Sequence, residues 1–483
     1  MGSTDFSSRF SFLKPGAHPL AFAATVLGAV FSLLLFRHGR LLTFDAYHYC
    51  EFAKQFAETW PDRFGNHWPF GYPIAGSLLV RVGAPGYFAL VAVSLASLYF
   101  LNLLTARLLN DHPSRVWIVL AIATTPIIGA ELLGVLTELP FALALMGLVA
   151  SLAEWPSRRA LWASAVWAVV ALSIRYAGVI ALAALATWLL AQNRPLRSAG
   201  RWWEAFFATA IAGLASGGLL FINVIKSGHA SGADRGNPEG LGALPSQIVD
   251  FGWSVPSALI AGGVRDHFAL NAWSGEVIGW LVFSALTALC VLAWFKPCSR
   301  ASRSLALVAL GYCLGMCVLH CIGDFDSLYN ARTFLPAVIP LAVLLAERIQ
   351  RRRVTLLLCA ILTGAGLVAA VRGISLEIGG NVQPAMSVLR ERLKPTDCVA
   401  INDHALAVAA FLSQRTRRTW LNGWDKTWPE RFMVVSGKPQ NRAGDTAKVD
   451  ETLRAWTDRL VTSGNYRYLL NQPTLVVIER IDR

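Results

Sequence analysis

Long apolar runs separated by short polar connections occupy the chain as far as residue 371. A helix that crosses a bilayer needs about 20 mostly apolar residues, because hydrocarbon offers no partner to a backbone N–H or C=O. Runs that reach or approach this length lie near residues 18–36, 86–106, 115–130, 139–154, 160–174, 177–191, 203–223, 276–295, 304–322, 333–347 and 354–371. They predict a mainly α, polytopic membrane protein of about 11 transmembrane helices. The first run ends in Arg37-His38-Gly39-Arg40 without a convincing small-residue cleavage site, so it is expected to remain as a helix and not to be removed as a signal peptide.

Three stretches exceed a simple connection: 37–85, 224–275 and the tail from 372 to 483. In the first, Tyr49, Phe52, Ala53, Phe56 and Trp60 recur at helical spacing with Glu51, Lys54, Gln55 and Glu58 opposite, the pattern of a helix lying in the membrane interface. The second carries Lys226-Ser227-Gly228-His229-Ala230-Ser231-Gly232-Ala233-Asp234-Arg235-Gly236, whose glycines mark a loop able to approach a ligand closely. The tail turns polar. Its runs 398–401 and 475–478 read as strands, and 383–393, 404–414 and 447–462 as helices. The expected organisation is a membrane domain over 1–371, including the two long loops, and a small α/β domain over 372–483.

Composition agrees: 55% of the 483 residues are hydrophobic and only 15% are charged. The net charge of +13 comes from basic connections and a basic tail, which removes the reason to expect a nucleic-acid partner. Basic residues collect in every second connection, at Arg9 and Lys14, Arg107 and Arg115, Arg158 and Arg159, Arg194 to Arg201, Lys296 to Arg303 and Arg348 to Arg353. Such clusters mark the cytoplasmic side, so the N-terminus is expected in the cytoplasm, with Asp45 and the C-terminal domain in the periplasm of a bacterial inner membrane. Cys50 and Cys398 alone fall clearly outside the bilayer, so no disulfide framework is expected.

Four charged residues stand out against this background. Asp45 follows the first apolar run, and Asp45, His48 and Tyr49 are spaced to share one helical face; an aspartate there also suits a helix N-cap. Glu138 opens an apolar helix, where burial demands a cation or metal partner, although a carboxylate at a helix start with Pro140 in the first turn also fits the helix dipole. Arg175 lies between two apolar runs in Leu172-Ser173-Ile174-Arg175-Tyr176-Ala177-Gly178. Arg332 lies in Asp324-Phe325-Asp326-Ser327-Leu328-Tyr329-Asn330-Ala331-Arg332. An arginine at membrane depth needs an anion, either a ligand phosphate or, for Arg332, an internal partner such as Asp326 or Asp324.

Taken in order, Asp45 in the first outer loop with its interfacial helix, the turn Gly71-Tyr72-Pro73, Glu138, Arg175-Tyr176 and Arg332 with Pro336 resemble the GT-C superfamily of membrane glycosyltransferases. More narrowly, they are similar to the group of protein O-mannosyltransferases and of the aminoarabinose transferases that modify lipid A. The chain departs from that pattern at Ala46, where family members often carry a second acid.

The resemblance implies an inverting glycosyltransferase, a hexosyl- or pentosyltransferase, moving a sugar from a polyprenyl-phosphate donor to a hydroxyl acceptor on a lipid, glycan or protein. Asp45 and Glu138 are then the catalytic candidates, with Asp45 as general base. Arg175, Arg332, Arg235 and Lys226 are the donor phosphate-binding candidates, and His48, Tyr49, Tyr72, Tyr176 and Asp326 the substrate-binding ones. No obligatory metal or other cofactor is expected: His48, His67, His229 and Glu138 could ligate a divalent ion, but their scattered spacing suits plain hydrogen-bonding residues. The competing expectation is a transporter or flippase of lipid-linked glycans, which would show discontinuous helices in corresponding halves.

Overall fold

A segment that is apolar on every face is stable only among other helices or in lipid, and each of the eleven apolar runs is helical. The structure is a computed structural model and is described for residues 16–35, 44–59, 69–192, 200–230, 240–260, 272–299, 301–323, 331–349, 351–372, 383–394, 397–401, 417–420, 431–436, 449, 451–473 and 475–481. It divides into two compact units, Met1–Arg37 with Cys50–Ile374, and His38–Tyr49 with Ser375–Arg483.

The helices of the first part of the chain are α1 (Ala17–Leu35), α2 (Phe44–Glu58), α3 (Gly71–Arg81), α4 (Gly86–Leu108), α5 (Arg115–Ala123) and α6 (Pro126–Gly134). They continue with α7 (Glu138–Ala153), α8 (Arg158–Ile174), α9 (Val179–Ala191), α10 (Trp202–Ser227) and α11 (Leu244–Ile260). The last four are α12 (Ala272–Phe295), α13 (Ser302–Ile322), α14 (Ala331–Arg348) and α15 (Arg352–Arg372). Helix α7 is the hub: it packs against α4, α8, α13 and α14, and most of its side chains from Leu139 to Leu152 are buried. At the periphery α10 turns Phe206, Phe207, Ile211, Leu214, Phe221 and Ile225 outward, a surface at home in hydrocarbon and costly in water.

Among the described residues five helices, within α1, α4, α10, α12 and α13, are long and apolar enough to cross a membrane, with a sixth if the bent pair α5 and α6 is one span. The protein is a multi-pass membrane protein. The run expected as one helix over 115–130 bends by 50° between α5 and α6. Thr125 precedes Pro126 and is extended at ψ 140°, because the proline ring disfavours helical geometry in the residue before it. Two helices lie in stretches expected as loops, α3 within 37–85 and α11 within 224–275. Gly71-Tyr72-Pro73, expected as a turn, instead opens α3, since a proline in a first helical turn removes no needed donor.

In the tail, β1 (Cys398–Ile401), β2 (Arg417–Trp420), β3 (Phe432–Ser436), β4 (Tyr466–Gln472) and β5 (Leu475–Arg480) form a sheet of order β2-β1-β3-β5-β4, flanked by α16 (Gln383–Arg392) and α17 (Glu451–Thr462). Strand β1 runs parallel to β2 and β3, whereas β5 is antiparallel to β3 and β4. Alternate side chains point to opposite faces: Val399, Ile401, Phe432, Val434, Leu475 and Val477 pack with Ala385 and Leu389 of α16. On the other face Ala400, Met433, Val435, Val476 and Ile478 pack with Leu453 and Trp456 of α17. The helix expected over 404–414 lies outside the described residues.

At one end of this sheet Glu479, its side chain 5% exposed, accepts from Arg467 Nη2 at 2.7 Å and Arg431 Nη2 at 2.9 Å. Burial pushes the Glu479 carboxyl up, and the bonds from Arg467 and Arg431 outweigh it, holding the group below its ordinary value of 4.5. The unfolded chain takes up that proton more readily, so this contribution to stability is complete above pH 4.5 and is lost as pH falls through the depressed value. In hydrogen exchange corrected for intrinsic rates, protection of the β5 amides should drop as pH falls below 4.5. Glu479→Gln should lower that protection at neutral pH, by about 2 kcal/mol, and flatten its pH dependence.

Candidate active site

Two buried carboxylates flank the link between α6 and α7. Helix α6 ends in Val135, whose backbone is left-handed at φ 55° and ψ 51°. A β-branched residue adopts that geometry at a cost, and the reversal it makes brings Glu131 of α6 beside Glu138 of α7. Tyr87 secures the α6 end by donating its hydroxyl to Leu133 O at 2.9 Å.

A second tight turn supplies the cation. Helix α8 stops at Ile174, Arg175 is extended at φ −146° and ψ 140°, and a short 3-10 turn, Tyr176–Gly178, starts the return into α9. Gly178 presses so closely on α8 that a Cβ there would stand 2.2 Å from Leu172 N. Gly71 does the same from α3, where a Cβ would lie 2.5 Å from Ser173 Oγ. These contacts hold Arg175 at the N-terminus of α7.

Arg175 donates through Nη1 to Glu138 Oε1, in an ion pair, and to Thr137 Oγ1 at 3.3 Å. Arg332, in the first turn of α14, brings Nε to 3.2 Å from the same Oε1. The Glu138 side chain is 1% exposed, whereas Arg175 and Arg332 are 24% and 20% exposed. The carboxylate is sealed, and each arginine side chain keeps part of its surface open. Tyr312 of α13 sets its ring 6.0 Å from Phe141, one helical turn beyond Glu138. Tyr176 OH accepts from Asn223 Nδ2 of α10 at 2.8 Å, and Nδ2 also donates to Ala230 O at 2.9 Å, tying the end of α10 to the Arg175 turn.

Two guanidiniums, those of Arg175 and Arg332, converge on the one Glu138 oxygen. Such a centre suits an anion whose oxygens match the guanidinium fork. Among the described residues no group of three or more His, Cys, Asp or Glu side chains is arranged to hold a metal ion.

The expected site residues separate into groups. Glu138, Arg175, Arg332 and Tyr176 come together, with Glu138 a partner of Arg332; Asp326 and Asp324 lie outside the described residues. Glu138, expected as catalytic, is buried and bonded to both arginines. Tyr72, expected to bind substrate, is 1% exposed, and its hydroxyl donates to Leu90 O at 3.1 Å and meets Ser94 Oγ at 2.8 Å, so it fastens α3 to α4. Lys226 is exposed in the last turn of α10, one turn past Asn223. Asp45, His48 and Tyr49 share the first turns of α2, with Tyr49 buried and His48 partly so; the Asp45 side chain and Arg235 lie outside the described residues. Thr137, Glu131, Asn223 and Tyr312 were not singled out, although Asn223 is a lone amide on an apolar helix.

No protein-family model matches the chain, and no curated protein matches its sequence. Its fold resembles that of a solved membrane glycosyltransferase. ArnT from Cupriavidus metallidurans, solved bound to undecaprenyl phosphate, matches with TM-score 0.56 at 10% identity over 96% of this chain and 97% of that one. The archaeal oligosaccharyltransferase AglB from Archaeoglobus fulgidus, in complex with an inhibitory peptide and a dolichol-phosphate, gives TM-score 0.49 at 10% identity over 89% and 70% of the two chains. The mycobacterial arabinofuranosyltransferase AftD gives 0.43 at 12% identity over 96% of this chain and 41% of its own.

Removing the shared carboxylate leaves two guanidiniums facing each other without their anion. Glu138→Gln should destabilise the protein by about 3 kcal/mol, measured as a lower unfolding temperature in detergent. An equal unfolding temperature in the variant would show that the two arginines are held by other groups.

Proposed function

We propose that the protein is an inverting glycosyltransferase that moves a sugar from a polyprenyl-phosphate donor to a hydroxyl acceptor at the periplasmic face of a bacterial inner membrane. One observation carries this reading: a pair of partly exposed arginines, bonded to one buried carboxylate, inside a fold like that of membrane glycosyltransferases. The neighbour ArnT, solved with undecaprenyl phosphate, supports a lipid phosphate as the anion.

In the proposed reaction the acceptor oxygen attacks the anomeric carbon while the bond from that carbon to the phosphate oxygen breaks, and the configuration inverts. The acceptor proton passes to the Asp45 carboxylate as general base, and the phosphate departs with one more negative charge than it held in the donor. Arg175 and Arg332 meet that developing charge, the point at which fixed cations lower the barrier most. Lys226 and Arg235 are proposed as further phosphate contacts. Glu138 acts as a positioning residue: it aims both guanidiniums and, being sealed, takes no proton from substrate. Asp45 enters through its place at the start of α2 and through the motif order of the chain. Inversion requires the base and the phosphate clamp on opposite faces of the sugar. Basic clusters in alternate connections support the periplasmic orientation.

Purified protein incubated with a panel of polyprenyl-phosphate sugars and membrane lipids should yield an acceptor heavier by one sugar in mass spectrometry. Asp45→Asn should lower the transfer rate about 10²-fold to 10⁴-fold with expression and donor binding unchanged. Undiminished transfer by Asp45→Asn would remove Asp45 from the chemistry. Absence of turnover with every donor, together with donor-dependent flux in vesicles, would make the protein a transporter.

A further inference from the structure

The second concentration of guanidinium groups lies within Ser375–Arg483 and takes no part in the proposed transfer. Three arginines from three separate elements converge on one carboxylate. Arg392, at the end of α16, brings Nη1 to 3.4 Å from Glu479 Oε2; Arg467, paired across strands with Glu479, brings Nε to 3.1 Å and Nη2 to 2.7 Å from the same oxygen. Arg431 spans Glu479 Oε1 at 2.9 Å and Asp397 Oδ2 at 3.2 Å, with its guanidinium carbon 4.8 Å above the Phe432 ring.

The charges do not balance. Glu479 and Asp397 are 5% and 11% exposed and already engaged, whereas Arg392 and Arg467 remain 45% and 57% exposed. Exposed Lys394 sits in the turn closed by its backbone N–H on Asp397 Oδ2 at 2.8 Å, and Arg480 follows Glu479 with its backbone N–H on Arg431 O at 2.7 Å. The backbone of Arg417 pairs in register with Cys398, next to Asp397, at the same end of the sheet. Exposed Glu391 is the one further acid among the described residues of this stretch of α16. Like charges are crowded here at an electrostatic cost that a purely structural ion pair would not require.

A guanidinium carries five N–H donors in a rigid fork, and the bonds described engage one nitrogen of Arg392 and two of Arg467. Both arginines bond the same oxygen, Glu479 Oε2, and each keeps N–H donors beyond those bonds, the fork that a tetrahedral anion accepts from. We infer that Arg392 and Arg467, backed by Glu479 and flanked by Lys394, form a binding site for a phosphate group at the end of the β4–β5 hairpin. The phosphate belongs either to a soluble phosphorylated compound or to the headgroup of an anionic phospholipid; the chemistry of recognition is the same.

The site is tested on the full-length protein by phenylglyoxal labelling of arginines, read residue by residue with peptide mass spectrometry, which distinguishes it from any phosphate bound at Arg175 and Arg332. In detergent, inorganic phosphate should slow labelling of Arg392 and Arg467 roughly fivefold or more relative to chloride at equal ionic strength, with exposed Arg158 unaffected. In vesicles, protection by phosphatidylglycerol but not by phosphatidylcholine, without protection by inorganic phosphate, assigns the site to a lipid headgroup. Arg467→Gln should abolish protection of Arg392 in either arm while leaving the protein folded. Equal labelling of both arginines under all four conditions, or protection of Arg392 that survives Arg467→Gln, overturns the inference.

Discussion

One buried carboxylate holds the membrane unit in register. Glu138 lies at the start of the most enclosed helix, and the two cations it binds arrive from α14 and from the turn after α8. Charge buried at such depth is tolerated only when paired, so three elements far apart in sequence must meet for any of them to be stable there. The strained backbone at Val135 and the close approaches at Gly71 and Gly178 serve that same meeting point. Local discomfort in the chain is offset by an ion triad that leaves no charge isolated.

The same arrangement separates two tasks that one acid cannot perform at once. A carboxylate bonded to two guanidiniums is a poor proton acceptor, and a base must reach its substrate. The geometry gives Glu138 the first task, and the proposed chemistry leaves the second to Asp45. The C-terminal unit repeats the device, where Glu479 gathers arginines from a helix, a strand and the residue before β3. In both cases a sealed acid orders arginines that stay partly exposed.

Much of the helical architecture was legible because a twenty-residue apolar run has few alternatives. The expectation of a fold like that of membrane glycosyltransferases follows from such runs and from the order of a few charged motifs. What escaped was local: α3 and α11 begin in Gly- and Pro-bearing segments that read as turns, since sequence spacing cannot distinguish a proline that breaks a helix from one that opens it. Strands β1 and β5 were visible as short apolar runs, but β4 alternates too weakly to be recognised before its partner is known. At the site, Glu138, Arg175 and Arg332 each drew notice singly. Their union did not, because the pairing of residues 138, 175 and 332 is settled by helix packing, and Asp326 was the nearer acid along the chain.

Helix α7 has only 16 residues, a rise of about 24 Å against roughly 30 Å of hydrocarbon. A helix this short cannot reach both membrane surfaces, and its acidic end is enclosed by its neighbours. The low dielectric of such a buried setting keeps electrostatic forces strong at physiological ionic strength.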